Sequence, residues 1–125
     1  MIFRPLILAV FLVFSGVAGA FAAESRFFSA LNDVPLMPGL YELTEETVVF
    51  DKPEGRIVES SAVSETEKTN EIRAFYGSVL PELGWDAQTG SEGTDSYLRQ
   101  GEKLTLTLEA RDQLNIVHFS LSPHP

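Results

Sequence analysis

Residues 64 to 85 read SETEKTNEIRAFYGSVLPELGW and carry the one clear helical period of the chain outside its N-terminus. The apolar residues of this stretch recur three and four positions apart, on one side of an α-helix: Ile72, Phe75, Tyr76, Val79, Leu80 and Leu83. A lone helix of about five turns is not stable in water, so another part of the chain has to cover this stripe. The remaining patterns are those of strands.

Both ends of the predicted helix carry local signals. Ser64, with Glu67 three residues later, matches a capping box, so we expect the helix to begin between residues 64 and 68. At the other end, Gly84 suits the left-handed position that follows a helix. Trp85 would then pack back on the last turn in a Schellman motif.

Short β-branched and aromatic runs separated by turn residues predict six strands. A polar stretch at residues 90–96 has no apolar anchor and predicts a mobile loop. The order β-β-α-β-β-β-β predicts an α+β fold, in which an antiparallel-rich sheet of five to six strands carries one amphipathic helix on one face. The predicted strands are residues 47–50, 56–63, 85–89, 97–100, 104–110 and 114–121.

Alternation within the strands predicts which face each side chain occupies. The cleanest period of two predicts one buried face, with Leu104, Leu106 and Leu108, and one wet face, with Thr105, Thr107 and Glu109. In the last strand, His118 lies on the face opposite Val117, Phe119 and Leu121. The second strand has a face of small residues on which we expect the helix to lie closely: Val58, Ser60 and Ala62.

Residues 1–22 have the pattern of a signal peptide. Arg4 precedes an apolar run, and Ala20-Phe21-Ala22 offers a cleavage site, with Ala18-Gly19-Ala20 as an alternative. The other interpretation is an uncleaved anchor, because no charge occurs between Arg4 and Glu24. Either reading delivers the remainder outside the cytoplasm.

We expect residues 23–43 to form an extended N-terminal segment before a single α+β domain at residues 44–125, and residues 24–30 to lead into the fold loosely. The run DVPLMPGL at residues 33–40 contains two prolines and a glycine, which exclude a helix. It either packs across its own domain or docks on a membrane or partner protein. Its apolar residues are Val34, Leu36, Met37 and Leu40.

Charge and cysteine content exclude several function classes. After residue 22 the chain carries eight basic and 18 acidic residues, a net charge of −10, which repels nucleic acid and anionic lipid. The absence of cysteine excludes disulfides, lipid attachment through an N-terminal cysteine and thiol chemistry. The fold therefore depends on its hydrophobic core.

The residues that carry chemistry form no recognisable site in the sequence. Neither His118 nor His124 has a cysteine or a second histidine at metal-ligand spacing. The chain also lacks a Gly-x-Ser-x-Gly elbow and a calcium-loop pattern. The acidic pairs at residues 45–46 and 65–67 lie beside a strand and at a helix start, where acids have a structural role. We expect no catalytic residue, no metal and no cofactor.

The run FYGSVLPELGW at residues 75–85 resembles a pattern, F-Y-x-x-x-L-P-x-L-G-W, of small exported bacterial proteins of unassigned function. The segment DVPLMPGL and the run FDKPEGRIV at residues 50–58 resemble companion segments of that group. The resemblance implies a periplasmic module without enzymatic activity. It carries over no catalytic residue.

Together these observations predict a small periplasmic or secreted binding or accessory module, with an envelope protein of open identity as its partner. Membrane contact is expected only if the signal segment is retained as an anchor in the inner membrane. The alternative is a small-ligand carrier or hydrolase with a pocket between helix and sheet, lined by Tyr76 and Trp85. The candidate interaction residues are Val34, Leu36, Met37, Leu40, Thr105, Thr107 and His118.

Overall fold

The computed structural model describes residues 26–90 and 93–125, so the predicted signal segment, residues 1–22, lies outside the described residues. A single 3-10 turn, Thr44–Glu46, separates the first two strands. The helix and strands, in chain order, are β1 (Tyr41–Glu42), β2 (Val48–Lys52), β3 (Gly55–Ser64), α1 (Thr69–Glu82), β4 (Asp86–Gln88), β5 (Thr94–Arg99), β6 (Glu102–Arg111) and β7 (Leu114–Pro123).

The strands form one antiparallel sheet in the order β1-β3-β7-β6-β5-β4, with β2 also paired to β3. The predicted α+β fold is confirmed, and the described residues form seven strands instead of five to six. The additional strand, β1, has two residues and is too short to leave a pattern in the sequence. Four antiparallel pairings separate β3 from β4, so these strands run in the same direction and the chain crosses the sheet through α1.

The helix begins later than the sequence predicts. Ser64 is the last residue of β3, and its Oγ accepts hydrogen bonds from the N–H groups two and three residues later, at 3.1 and 2.9 Å. These bonds form a turn between strand and helix, so the prediction of a start between residues 64 and 68 is wrong. At the actual start, Glu71 Oε2 accepts a hydrogen bond of 3.2 Å from the N–H of Lys68, the N-cap residue.

The end of α1 follows the predicted Schellman motif. The N–H of Trp85 donates to the carbonyl of Leu80 at 3.1 Å, and the N–H of Gly84 donates to the carbonyl of Pro81 at 3.1 Å. Gly84 has a φ of +91°, which other residues adopt with strain. Leu83, which we placed on the apolar stripe, is 39% exposed because it is the C-cap, where the chain leaves the helix.

The hydrophobic core lies between α1 and one face of the sheet, which we call the covered face. Its strand residues alternate as predicted and are buried: Val58, Ser60, Ala62, Leu104, Leu106, Val117, Phe119 and Leu121. The helix contributes Ile72, Tyr76 and Leu80, each 0% exposed. It contacts β4, β6 and β7, so our expectation that it lies on the small residues of β3 is wrong.

The N-terminal segment supplies a second part of the cover. Phe28, Leu31, Val34 and Leu40 are at most 3% exposed, and the ring centroid of Phe28 lies 4.8 Å from that of Phe119. The prediction that residues 24–30 lead into the fold loosely is therefore wrong from Phe28 onward. The segment belongs to the same core as the residues after it, because its apolar side chains pack on the face that the helix leaves uncovered.

Two side chains tie the N-terminal segment to the rest of the domain. Tyr76 Oη donates to the carbonyl of Pro35 at 2.8 Å and accepts from the N–H of Met37 at 3.1 Å. Burial raises the pKa of Tyr76 well above its ordinary value. Arg99 forms an ion pair with Asp33, and its guanidinium lies 4.2 Å from the ring centroid of Trp85.

Candidate interaction surface

The face of the sheet opposite α1, which we call the open face, is lined by hydroxyl, imidazole and carboxylate groups. Strand register decides which of them are neighbours: Thr107 lies directly opposite His118, and Thr105 lies opposite Ser120. On the other side of β7, His118 lies opposite Ser61. The central residues of this face are Glu59, Ser61, Thr105, Thr107, Glu109, His118 and Ser120.

Hydrogen bonds across the strands fix several of these side chains. Ser61 Oγ and His118 Nδ1 are hydrogen-bonded at 2.7 Å, and His118 Nε2 lies 3.5 Å from Glu109 Oε1. Ser120 Oγ donates to Glu59 Oε1 at 2.7 Å. Ser61 is 7% exposed, whereas the side chain of His118 is 40% exposed. The imidazole is thus held in one orientation while one side of it stays accessible.

Ser61, His118 and Glu109 are the residue types of a hydrolytic triad. On the open face, His118 contacts both of the other two side chains. Both imidazole nitrogens face protein groups, and the backbone around Ser61 is committed to pairing with β7. Nucleophilic catalysis also needs donors that stabilise an oxyanion next to the serine. The contacts of the described residues orient the imidazole, and Ser61 lies within the paired part of β3.

The predicted interaction residues fall into two separate groups. Val34 and Leu40 are 0% and 3% exposed and belong to the core, so neither offers its side chain to a partner while the domain is folded. Leu36 and Met37 are half-buried against that core. The other group, Thr105, Thr107 and His118, lies together on the open face. The structure therefore brings together the strand residues and separates them from the apolar segment at residues 33–40.

Exposed apolar side chains occur at the β2 end of the sheet, where sequence reasoning placed no site. Val48 and Phe50 lie on the open face, opposite Glu59 and Ile57 in the register with β3, and are 41% and 60% exposed. Val49 points to the other side and is 53% exposed. The run TVVF at residues 47–50 predicts a strand but not the exposure of its side chains, because exposure depends on which other segments pack against them.

A shallow groove of about 540 Å³ lies at one end of the sheet, next to β1. Its lining combines apolar and hydroxyl side chains with one carboxylate: Gly39, Tyr41, Val63, Ser64, Glu65, Thr66 and Leu114. Tyr76 and Trp85, the residues of the alternative pocket between helix and sheet, are 0% and 2% exposed and belong to the core. The groove and this alternative pocket therefore involve different residues.

Comparison with known proteins yields no relative: the chain matches no family model, no curated protein and no solved structure at a significant level. The resemblance of residues 75–85 to small exported proteins therefore stays a prediction. Within residues 26–90 and 93–125, no cluster of three or more His, Cys, Asp and Glu side chains could hold a metal ion. No helix in that part of the chain has the length and apolarity needed to cross a membrane.

Proposed function

We propose that this protein is a small exported binding or accessory module without catalytic activity, and that it contacts an envelope protein through the open face. The observation that carries the proposal is the arrangement of Thr105, Thr107 and His118 side by side, with the imidazole oriented by Ser61. Pre-oriented polar groups next to exposed apolar side chains are typical of protein contact surfaces. Phe50 provides such an apolar neighbour at the margin of this face.

Delivery outside the cytoplasm is part of the proposal and derives from the sequence of residues 1–22. Mass spectrometry of the protein recovered from fractionated cells tests it. A chain that begins at Ala23 in the periplasmic or secreted fraction would support export with cleavage. Intact residues 1–22 in the inner-membrane fraction would support the anchored alternative, in which the domain meets its partner beside a membrane.

A photocrosslinking residue introduced at Thr107 in intact cells tests the open face directly. Thr107 is exposed at the centre of that face, and Ser78 is an exposed helix residue that serves as the matched control. We expect a discrete protein adduct from position 107 and none from position 78. Equal adducts from both positions, or none from position 107, would contradict the proposal.

A pair of arginine variants gives an independent measurement. Thr107→Arg places a bulky charge on the open face, and Ser78→Arg places the same charge on the outer side of α1. Capture of the crosslinked partner should fall at least tenfold with Thr107→Arg and change less than twofold with Ser78→Arg. A small molecule that co-purifies with the folded protein would instead favour the ligand carrier.

A further inference from the structure

The two outer edges of the sheet differ in length and chemistry. At one edge, β4 is three residues long and polar at its ends, with Asp86 and Gln88. At the other edge, β1 and β2 pair with different parts of β3, and β2 has five residues, all exposed, beginning with the apolar run Val48-Val49-Phe50. Soluble proteins usually protect sheet edges with short strands or charged residues, because an unpaired strand is a template for another chain. The β4 edge follows this rule, whereas the β2 edge follows it only at Asp51 and Lys52 and exposes apolar side chains along its first three residues.

The backbone of β2 is paired on one side only within the described part of the chain. Its register with β3 runs from Val48↔Glu59 to Lys52↔Gly55, and β3 is the one named element that it contacts there. In a five-residue edge strand, alternate N–H and C=O groups point away from the paired side, where they bind water or an added strand. These groups are available to an added strand.

Charge around β2 selects among the possible occupants. Residues 45–54 contain one base and four acids, namely Lys52 against Glu45, Glu46, Asp51 and Glu54. A second copy of this chain, added antiparallel and centred on Phe50, would bring Glu46 of one copy close to Glu54 of the other, just beyond the ends of the paired strands. These acids would repel each other, and the whole chain has a net charge of −9, which also opposes association of two copies. The same acids attract a strand that carries Lys or Arg at its ends.

We propose that β2 binds an extended cationic segment of a partner protein by strand addition. The added strand would alternate apolar residues, which contact Val48 and Phe50, with polar ones, and would carry basic residues opposite the acids at both ends of β2. Backbone hydrogen bonds supply the affinity in this mode, and the alternate side chains supply the specificity. This inference rests on the proposed function as a binding module and names the chemistry of the partner.

Synthetic peptides added to the purified, isotope-labelled protein test the inference. The probe is Lys-Val-Thr-Val-Thr-Val-Lys, and the matched control replaces both lysines with glutamates. We expect the amide signals of residues 48–52 to shift with the cationic peptide, and its dissociation constant to be at least tenfold below that of the acidic peptide. Equal binding of the two peptides, or binding of neither, would overturn the inference.

A third peptide separates strand addition from simple charge attraction. It keeps the side chains of the cationic probe but carries N-methyl groups on alternate backbone nitrogens, which removes hydrogen-bond donors along one edge. Strand addition predicts at least a tenfold loss of affinity for the peptide methylated on its bonding edge. Unchanged binding would mean adsorption of a cation to an acidic surface, and the inference would be wrong.

Two protein variants locate the site. Val49→Lys adds a charge at an exposed position of β2, and Ala87→Lys adds the same charge at an exposed position of β4. We expect the first to weaken the cationic peptide at least tenfold and the second less than twofold, with both variants folded by circular dichroism. Equal effects would place the binding elsewhere. If the peptide fails while Thr107→Arg still abolishes partner capture, the inference fails and the proposed function stands.

Discussion

The two faces of the sheet are built from the same strands but differ in side-chain chemistry and in burial. Along β6, Leu104 and Leu106 are at most 1% exposed on the covered face, whereas Thr105 is half-buried and Thr107 exposed on the open face. Burial of large apolar side chains is the main favourable contribution to folding, so the covered face holds most of the stability. The open face contributes less to it, because its side chains are polar or partly exposed.

The two faces also differ in the hydrogen bonding of their serine side chains. On the covered face, Ser60 Oγ is buried without a hydrogen-bond partner among the described residues. On the open face, the adjacent Ser61 is bonded to His118 and Ser120 is bonded to Glu59. Tyr76 Oη is paired within the core, so this difference between the faces concerns the two adjacent serines. The hydrogen bonds of the open face therefore fix the orientation of its side chains. The buried apolar side chains of the covered face contribute most of the free energy of unfolding.

The largest effect should come from neighbouring positions on β6. Leu106→Ala removes a core side chain and leaves a cavity, and should lower the free energy of unfolding by about 2–5 kcal/mol. Thr107→Ala, one residue later on the open face, should change it by less than about 0.5 kcal/mol. Urea denaturation of both variants measures the difference. Similar losses would mean that the open face is also covered.

A pair of tyrosine variants tests the tie between α1 and the N-terminal segment. Tyr76→Phe leaves the carbonyl of Pro35 and the N–H of Met37 buried without their partner and should cost about 1–3 kcal/mol. Tyr97→Phe removes a hydroxyl that is influenced by burial and nearby charges and by no hydrogen bond among the described residues, and should cost less than about 0.5 kcal/mol. Thermal unfolding distinguishes them, and equal changes in Tm would contradict this account of Tyr76.

Alkaline pH should weaken the covered face selectively. Burial raises the pKa of Tyr76 in the folded protein above the ordinary value of 10, so the folded state holds its proton more tightly than the unfolded state. This contribution is therefore complete below pH 10 and is lost as the pH rises through the folded pKa, with a slope of up to about 1.4 kcal/mol per pH unit.

The comparison with Tyr76→Phe isolates this effect. The variant should lose less stability between pH 9 and pH 11 than the wild type, and retain some loss because burial also raises the pKa of Tyr97. Urea denaturation at stepped pH values measures both slopes. Identical slopes would show that ionisation of Tyr76 does not limit alkaline stability.

The smallest effect should come from adjacent serines on β3 that point to opposite faces. Ser61→Ala removes the hydrogen bond to His118 and should cost about 0.5–1.5 kcal/mol, toward the lower end because water can reach the imidazole. Ser60→Ala removes a buried hydroxyl without a partner in the described residues, so stability should stay equal or rise. A loss with Ser60→Ala larger than with Ser61→Ala would reverse the comparison of the two faces.

Local patterns predicted the elements of this fold well. The helical stripe with Ile72, Tyr76 and Leu80 is buried as its spacing indicates, and the alternation in β6 and β7 separates buried from wet residues. The Schellman motif at Gly84 was also readable. Each of these features depends on residues within one or two turns of helix or one strand, so the sequence pattern carries the full information.

The candidate site was only half predictable. Alternation placed Thr105, Thr107 and His118 on the wet face, but the bond between Ser61 and His118 joins residues 57 positions apart. That contact depends on the register of β3 with β7, which one sequence does not display. The exposure of the Phe50 side chain was not predicted either. Nothing in its own strand indicates whether another segment of the chain packs on it.

By itself, the sequence determined an acidic, cysteine-free α+β chain in which one amphipathic helix lies on an alternating sheet. Only the tertiary structure decided that Phe28 and Val34 complete the core, that Ser61 orients His118 and that β2 lies at a sheet edge with exposed apolar side chains. The physical reason is the distance along the chain between the residues that determine each feature. Helical and strand periods are set by neighbouring residues, whereas burial and cross-strand contacts depend on which distant segments pack together.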